Sequence, residues 1–225
     1  MTSPLDQMFE RSRWAEQLDA SQRERVRSET VVREVAANGL VCRKGETVEA
    51  WVGVIEGLVK ISSVSFEGKL VTFTGVPAGG WFGEGSLLKD EPRRYDVIAL
   101  RDSLVAYVPR ATFQWLLDTS IAFNRFLLVQ LNERLGQFIA TVEYERLLGP
   151  DARVARCIAQ LFNPLLYPGS GRQLRISQSE VGYLTGLSRQ RANQALQTLE
   201  ASGLIRVEYG GITVADLDGL SRYEG

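Results

Sequence analysis

Histidine is absent from this 225-residue sequence, and cysteine appears twice. Without imidazole there is no ordinary near-neutral general base, no Ser-His-Asp arrangement, and none of the commonest transition-metal ligand. Cys42 and Cys157 stand far apart without CxxC spacing, too few for a disulfide framework, a zinc site or a four-cysteine iron-sulfur cluster. Both read as small buried hydrophobes. A metal-dependent enzyme on a cupin-like barrel fails for want of ligands, so no metal and no enzymatic activity are expected. No run of eighteen apolar residues and no basic-then-apolar leader occurs, and the expectation is a soluble cytoplasmic protein with no membrane partner. Excess charge of either sign is missing too. With 26 basic and 27 acidic residues the net charge is -1, so any contact with nucleic acid must come from a local patch.

Such a patch lies at residues 177–205, SQSEVGYLTGLSRQRANQALQTLEASGLI. Ser177 with Glu180 forms a capping box at the start of one helix, and Gly186 supplies the left-handed backbone of a tight turn. Ser188 caps a second helix. On it Ala192, Ala195, Leu196 and Leu199 share one face, while Gln190, Asn193, Gln194 and Gln197 share the other. Gly182, Gly186, Ala192 and Ala195 are spaced for two helices that cross closely. Gly203 ends the second helix, and residues 204–207 and 212–214 read as two strands turning at Tyr209, Gly210 and Gly211. This is the outline of a winged helix-turn-helix. The competing reading is an ordinary amphipathic pair, whose solvated face would mix Glu with Lys. Here Arg, Gln and Asn, whose donors and acceptors match guanine and adenine edges, make up the stripe. Five arginines lie between positions 172 and 206 inclusive, against Glu180 and Glu200 as the only acids.

Earlier in the chain, residues 4–28 read as short helices, with Leu5, Met8, Phe9, Trp14 and Leu18 near helical spacing and Ser21 as a second cap. From Val31 the period changes to two. Residues 39–42, 51–62, 70–74, 97–100 and 104–108 are strand candidates, separated by turns at Lys44 and Gly45, at Glu67, Gly68 and Lys69, and at Ala78, Gly79 and Gly80. Short strands at this spacing predict a jelly-roll-like β-barrel.

Inside that barrel region Gly83, Glu84, Gly85 and Ser86 are followed by Pro92, Arg93 and Arg94. Small residues let a backbone approach a phosphate, a short helix beginning near Ser86 offers free N-H groups, and Arg94 adds a fork of donors. Glu84 can accept from a ribose hydroxyl. The structural alternative pairs Arg94 with Glu84 or Asp96. After the barrel, residues 111–118 form a short helix and 121–147 a long one. Leu128, Leu131, Leu135, Phe138 and Val142 recur at spacings of three and four, the seam of a two-stranded coiled coil. Phe123, Phe126, Leu127 and Ile139 form a second apolar edge expected on the barrel. A single buried helix is the rival reading. Gly149 and Pro150 break the long helix, a natural hinge.

Together these segments resemble the CRP/FNR family of bacterial transcription regulators over residues 20–215. The Ser188-Arg189 pair is similar to the opening of that family's recognition helix, and the stretch from Gly83 to the arginines resembles a cyclic-nucleotide phosphate cassette. The resemblance implies an α+β fold: a double-stranded β-helix (jelly-roll) sensor domain at 1–118, a dimerisation helix at 119–148 and a winged helix-turn-helix DNA-binding domain at 149–225. It implies a homodimer joined through the long helix, with double-stranded DNA and RNA polymerase as partners. Base-reading positions carry over to Arg189, Gln190 and Gln194, with Asn193 beside them, while Arg191, Ser188 and Thr185 are expected on phosphates. The effector pocket is expected at Gly83, Glu84, Gly85, Ser86, Arg94, Tyr95 and Phe138. There the sequence departs from cyclic-AMP binders. Tyr95 replaces a small hydroxyl, and Phe138 and Ile139 stand where adenine-reading hydroxyls belong. The expectation is therefore a small anionic effector other than cyclic AMP, with two alternatives: a cyclic-AMP-responsive regulator, and a cyclic-nucleotide-binding module that acts through protein contacts.

Overall fold

The computed structural model describes residues 3–68, 70–168 and 171–225. Helices α1 (Pro4–Arg11), α2 (Arg13–Glu16) and α3 (Ala20–Glu29) open the chain. Ser3 closes a capping box with Asp6, and Asp19 does the same with Gln22. The second cap is thus Asp19 rather than Ser21, whose hydroxyl instead donates to the Asp19 carboxylate at 2.7 Å. A carboxylate at the N-cap accepts the free N-H and complements the helix dipole, which a hydroxyl two residues in cannot do.

Eight strands follow: β1 (Val31–Val35), β2 (Leu40–Cys42), β3 (Ala50–Glu56), β4 (Leu58–Val64), β5 (Leu70–Pro77), β6 (Trp81–Phe82), β7 (Asp96–Ala99) and β8 (Ser103–Pro109), with the short helix α4 (Glu84–Lys89) after β6. They form two four-stranded antiparallel sheets, β1-β8-β3-β6 and β2-β7-β4-β5, packed as a jelly roll. The single strand candidate at 51–62 is split by Gly57, whose φ of +101° turns β3 back into β4 in the opposite sheet. Alternation along β3 sends Val52 and Val54 inward to Val59, Ile61, Val76, Phe82, Val97 and Val105. Trp51 points the other way, stacked on Trp81 at 4.4 Å between ring centres and edge-on to Phe123. That outer aromatic cluster, with Trp14 and Phe113, clamps the N-terminal helices and the base of the long helix to the barrel.

Helix α5 (Arg110–Thr119) leads to α6 (Ile121–Leu147), capped by Ser120. Phe123, Leu127, Gln130 and Gln137 are its buried side. Leu128, Leu135, Phe138 and Val142 lie exposed, and Ile139 lies with them rather than on the barrel as its sequence pattern predicted. The buried side of the helix stays on the protein as far as Gln137, with Arg134 donating to the Trp81 carbonyl, and the apolar edge on its other face is uncovered. Helix α7 (Pro150–Gln160), β9 (Gln173–Leu174), α8 (Gln178–Thr185), α9 (Arg189–Ala201), β10 (Ile205–Glu208), β11 (Gly211–Val214) and α10 (Leu217–Arg222) complete the chain. The wing has three strands, β10-β11-β9, one more than the sequence pattern suggested, because a two-residue strand carries no periodicity to read. The turn residue Lys69 lies outside the described residues.

At Gly57 an added Cβ would sit 2.8 Å from the Ser103 Cα, on a backbone that L side chains rarely adopt. Gly57→Ala is expected to lower stability by about 2 kcal/mol. Urea unfolding followed by tryptophan fluorescence measures it, and an unchanged midpoint would show that the β3–β4 turn relaxes freely.

Candidate DNA-reading surface and effector pocket

The reading head is built from caps and close approaches. Ser177 accepts from the Glu180 N-H at 3.3 Å, and the Glu180 carboxylate accepts from the Ser177 N-H at 2.5 Å. Gly186 sits at φ +66° and ends α8, while Ser188 caps α9 by accepting from the Arg191 N-H at 3.2 Å. A Cβ on Gly182 would fall 2.8 Å from the Leu187 carbonyl, so glycine is what lets the turn fold back on α8. Beneath, Ala192, Ala195, Leu196 and Leu199 join Val154, Ile158, Val181 and Ile212 in one core. That core fixes the outward face of α9.

Arg189, Gln190 and Gln194 are exposed, the two glutamines as the spacing of the polar stripe predicted. Asn193 is half-buried, and its Oδ1 accepts from Gln178 Nε2 at 2.6 Å, which leaves its amide donors for a ligand. Ser188 is exposed but spends one lone pair on its cap. One phosphate assignment needs correction, that of Thr185. Thr185 is buried and its hydroxyl donates to the Val181 carbonyl at 2.8 Å, one turn back, so it is a helix-end residue closed to DNA. Arg191 pairs with Asp151 at 2.6 Å and ties α9 to the first turn of α7. The sequence reading missed the groove of about 310 Å³ between Ser177, Ser179, Arg189 and the wing residues Tyr209 and Gly210, with Tyr209 fully exposed at its rim. Tyr209 was visible only as a turn residue. Its exposure was not.

Inside the barrel the arginine expected in the pocket is displaced by one residue. Arg94 is exposed and bound to Glu91 at 2.7 Å. Arg93 is the buried one, 5% exposed, with its guanidinium against the backbone of Gly83, where a Cβ would meet Nη1 at 2.9 Å. The backbone pins Arg93 in place, its N-H donating to the Glu46 carbonyl at 2.9 Å and its carbonyl accepting from the Gly45 N-H at 2.7 Å. Since side chains alternate, a shift of one residue exchanges inside for outside. Gly83 has φ +95° and Glu84 is buried beside Arg134 of α6 at 3.4 Å, an ion pair absent from the sequence reading. Burial works against the charge of Arg134, yet the Glu84 carboxylate and the nearby Tyr167 and Tyr95 phenols leave its pKa raised, and it stays a cation. Ser86 is buried and Gly85 has open space around it. Tyr95 packs at the edge of the inner core, its phenol pushed up chiefly by burial. Phe138 does not join these groups. It lies 36% exposed on the outer stripe of α6.

Among the described residues, Arg93 Nη1, Glu84 Oε2, Arg134 Nη1 and Ser62 Oγ are buried polar atoms without a hydrogen-bond partner, while Arg134 Nε faces Glu84 at 3.4 Å. Donors and acceptors in a low-dielectric interior need partners, and buried water or a polar ligand would supply them. Residues 32–120 match the cyclic nucleotide-binding domain, and residues 152–223 match the Crp-like helix-turn-helix domain.

This chain belongs to the CRP/FNR family of transcription regulators. A CRP/FNR relative, the cAMP-activated global transcriptional regulator CRP of Haemophilus influenzae, is 26% identical over 79% of this chain and 81% of its own length. The transcriptional regulator SdrP of Thermus thermophilus is 29% identical over 74% of this chain and 80% of its own. Among solved structures, the c-di-GMP-responsive global regulator CLP of Xanthomonas campestris superposes with a TM-score of 0.62 and 25% identity, covering 87% of this chain and 99% of that one. CRP/FNR members are transcription regulators rather than enzymes, and among the described residues no helix is long and apolar enough to cross a membrane.

Cys42 packs in the inner core of the barrel, its thiol pushed up to about 11 by burial, an effect that neighbouring Arg93 partly offsets. Cys157 is pushed up to about 12, again by burial. At pH 8 both are thiols rather than thiolates, and the thiolate is the nucleophile. Ellman's reagent at pH 8 is therefore expected to react at least tenfold more slowly with the folded protein than with the protein in guanidinium. Rapid modification of either cysteine would contradict that burial.

Proposed function

We propose that the protein is a homodimeric, sequence-specific DNA-binding regulator whose barrel takes a small anionic effector. The observation that carries it is the pairing of an exposed Arg189, Gln190 and Gln194 face with a pocket of unpartnered buried Arg93, Glu84 and Arg134 atoms. In this reading Arg189 reads a guanine edge, and Gln190 and Gln194 complete the base contacts. Asn193 amide donors, the Ser188 hydroxyl and the free N-H groups at the start of α8 hold phosphates. Arg191 positions α9 through Asp151 rather than reaching the backbone of DNA. The division into a sensor at 1–118, a dimerisation helix at 119–148 and a reader at 149–225 belongs to the same proposal.

Leu128, Leu131, Leu135, Phe138 and Val142 supply the dimer seam, and Ile139 widens it. Four of the five are exposed in the single chain, where they leave a stripe of apolar surface along α6 that a second copy would cover. Two readers on such a dimer meet half-sites one helical turn, about 34 Å, apart. RNA polymerase and a cytoplasmic setting follow from the same regulatory role.

The pocket arginine is Arg93, with Arg134 and Glu84 beside it, so the loss of pocket polarity expected from Tyr95 is partly made good. Phe138 adds no polar group to read a purine. A cyclic nucleotide or dinucleotide that presents phosphate to Arg93 and a hydroxyl to Glu84 fits this chemistry.

Two variants test the reading. Arg189→Ala is expected to abolish preference for operators selected from a random DNA pool while weak binding to bulk DNA persists, and equal loss on both would place Arg189 on phosphate. Leu135→Glu is expected to convert the dimer to a monomer in sedimentation equilibrium and to cost at least tenfold in operator affinity. A variant that remains dimeric would move the interface off α6.

A further inference from the structure

The inner core of the barrel contains two residues that do not belong to the barrel. Leu166 and Tyr167, from the connection between α7 and β9, are 2% and 0% exposed and pack among Val52, Val54, Val76 and Phe82. The Tyr167 hydroxyl donates to the Gly75 carbonyl of β5 at 3.2 Å and meets Arg134, Gln137 and Thr74. Glycines admit the turn. A Cβ at Gly80 would fall 2.9 Å from the Tyr167 ring, and one at Gly79 would fall 2.6 Å from the Pro168 carbonyl. The turn is also preformed: the Asn163 Oδ1 accepts from the N-H groups of Leu165 and Leu166 at 2.9 and 3.0 Å, and its amide donates to Glu133 of α6 at 2.7 Å.

Tyr167 thus meets the same Arg134 that pairs with Glu84, whose Oε2 is a buried atom without a hydrogen-bond partner. The rest of the reader is seated on the barrel around it. Arg101 of the β7–β8 turn holds Glu180 of α8 at 2.6 Å, Lys60 of β4 lies 4.7 Å from the Tyr183 ring centre, and Leu184 packs where a Cβ on Gly75 would stand.

We propose that the turn carrying Leu166 and Tyr167 is a built-in occupant of the effector pocket, so that an effector and the docked reader exclude one another. An effector that fills the barrel expels the phenol, and with it the reader loses its deepest anchor and is free to reorient against the dimer axis. The part concerning competition rests on the effector reading above. The part concerning docking does not.

Cys157 reports docking directly, because it lines the seam between β5, α6 and the reader together with Gly75, Thr141 and Leu184. The test measures modification of Cys157 by Ellman's reagent, resolved from Cys42 by peptide mass, in the ligand-free full chain. Tyr167→Ala is expected to speed it at least tenfold, and Tyr167→Phe, which keeps the ring and loses the hydroxyl, about twofold to fivefold. Tryptophan emission from the outer aromatic cluster checks that each variant is folded, and if the alanine variant is not, the phenylalanine variant decides. Rates unchanged within error in folded variants overturn the proposal. Calorimetric titration with cyclic AMP, cyclic GMP and cyclic di-GMP then addresses the pocket. At least tenfold tighter binding of any of them to the Tyr167 variants supports competition, and equal affinity for wild type and variants overturns it. No heat with any variant strikes the effector reading for these probes while the docking result stands on the thiol rates alone.

Discussion

The structure turns on the placement of Arg134. Its guanidinium is buried against Glu84 and donates to the Trp81 carbonyl at 2.7 Å, and an arginine cannot shed its proton to escape burial. Breaking such a pair by removing one partner leaves an uncompensated charge inside the protein, a loss on the order of 3–5 kcal/mol. The long helix is therefore locked in register to the cassette at Glu84. Four residues on, Phe138 stands on the outer stripe of the same helix. One helix thus carries Arg134 against Glu84 and, one turn on at the edge of the adjoining face, Phe138 of the apolar stripe, so a shift at Glu84 would bear on that stripe through a single rigid element.

The second fixed relation is between reader and barrel. Glu180 has two duties: it closes the capping box with Ser177, and it accepts the Arg101 fork. The carboxylate that starts α8 is thus also the one that ties α8 to the β7–β8 turn. Any motion that separates the two exposes Glu180 but need not unfold the helix, because the Ser177 half of the box remains. The local fold of the reader and its seat on the barrel are in this way energetically separable, a condition for a reader that keeps its shape while it changes its place.

Local chemistry was the legible part of the sequence. Ser177, Glu180, Gly186 and Ser188 announce their helices because caps and left-handed turns depend on a few adjacent residues, and the period-two runs announce the barrel. Relations set by parity or by distant packing were not legible. Arg93 and Arg94 are adjacent arginines in the connection before β7, and only distant backbone bonds, from Arg93 to Glu46 and Gly45, decide which one is inside. Thr185 is polar and near the turn, yet the geometry at the end of α8 turns its hydroxyl back on its own helix. Arg134 and Tyr167 lie 50 and 83 residues from Glu84, and no spacing rule connects them. Tyr167 in particular reads as an aromatic in a Pro-rich connection, with nothing local to show that it enters a different part of the fold.

The docked reader sets a demand on any effector. A conformational equilibrium moves only by the difference in a ligand's affinity for the two states, and a shift from 1:99 to 99:1 needs about a 10⁴-fold difference. A ligand bound at the surface of the barrel, indifferent to Tyr167, has no such difference and shifts nothing however tightly it binds. A ligand that takes the space of the Tyr167 ring cannot bind the docked state without expelling it, so nearly all of its affinity is differential. The cost of removing a buried phenol and leucine, of the order of a few kcal/mol, weakens its apparent affinity by the same amount that it stabilises the resting state. On the proposed competition, steric exclusion at one buried tyrosine would supply such a switch without a long pathway of coupled residues.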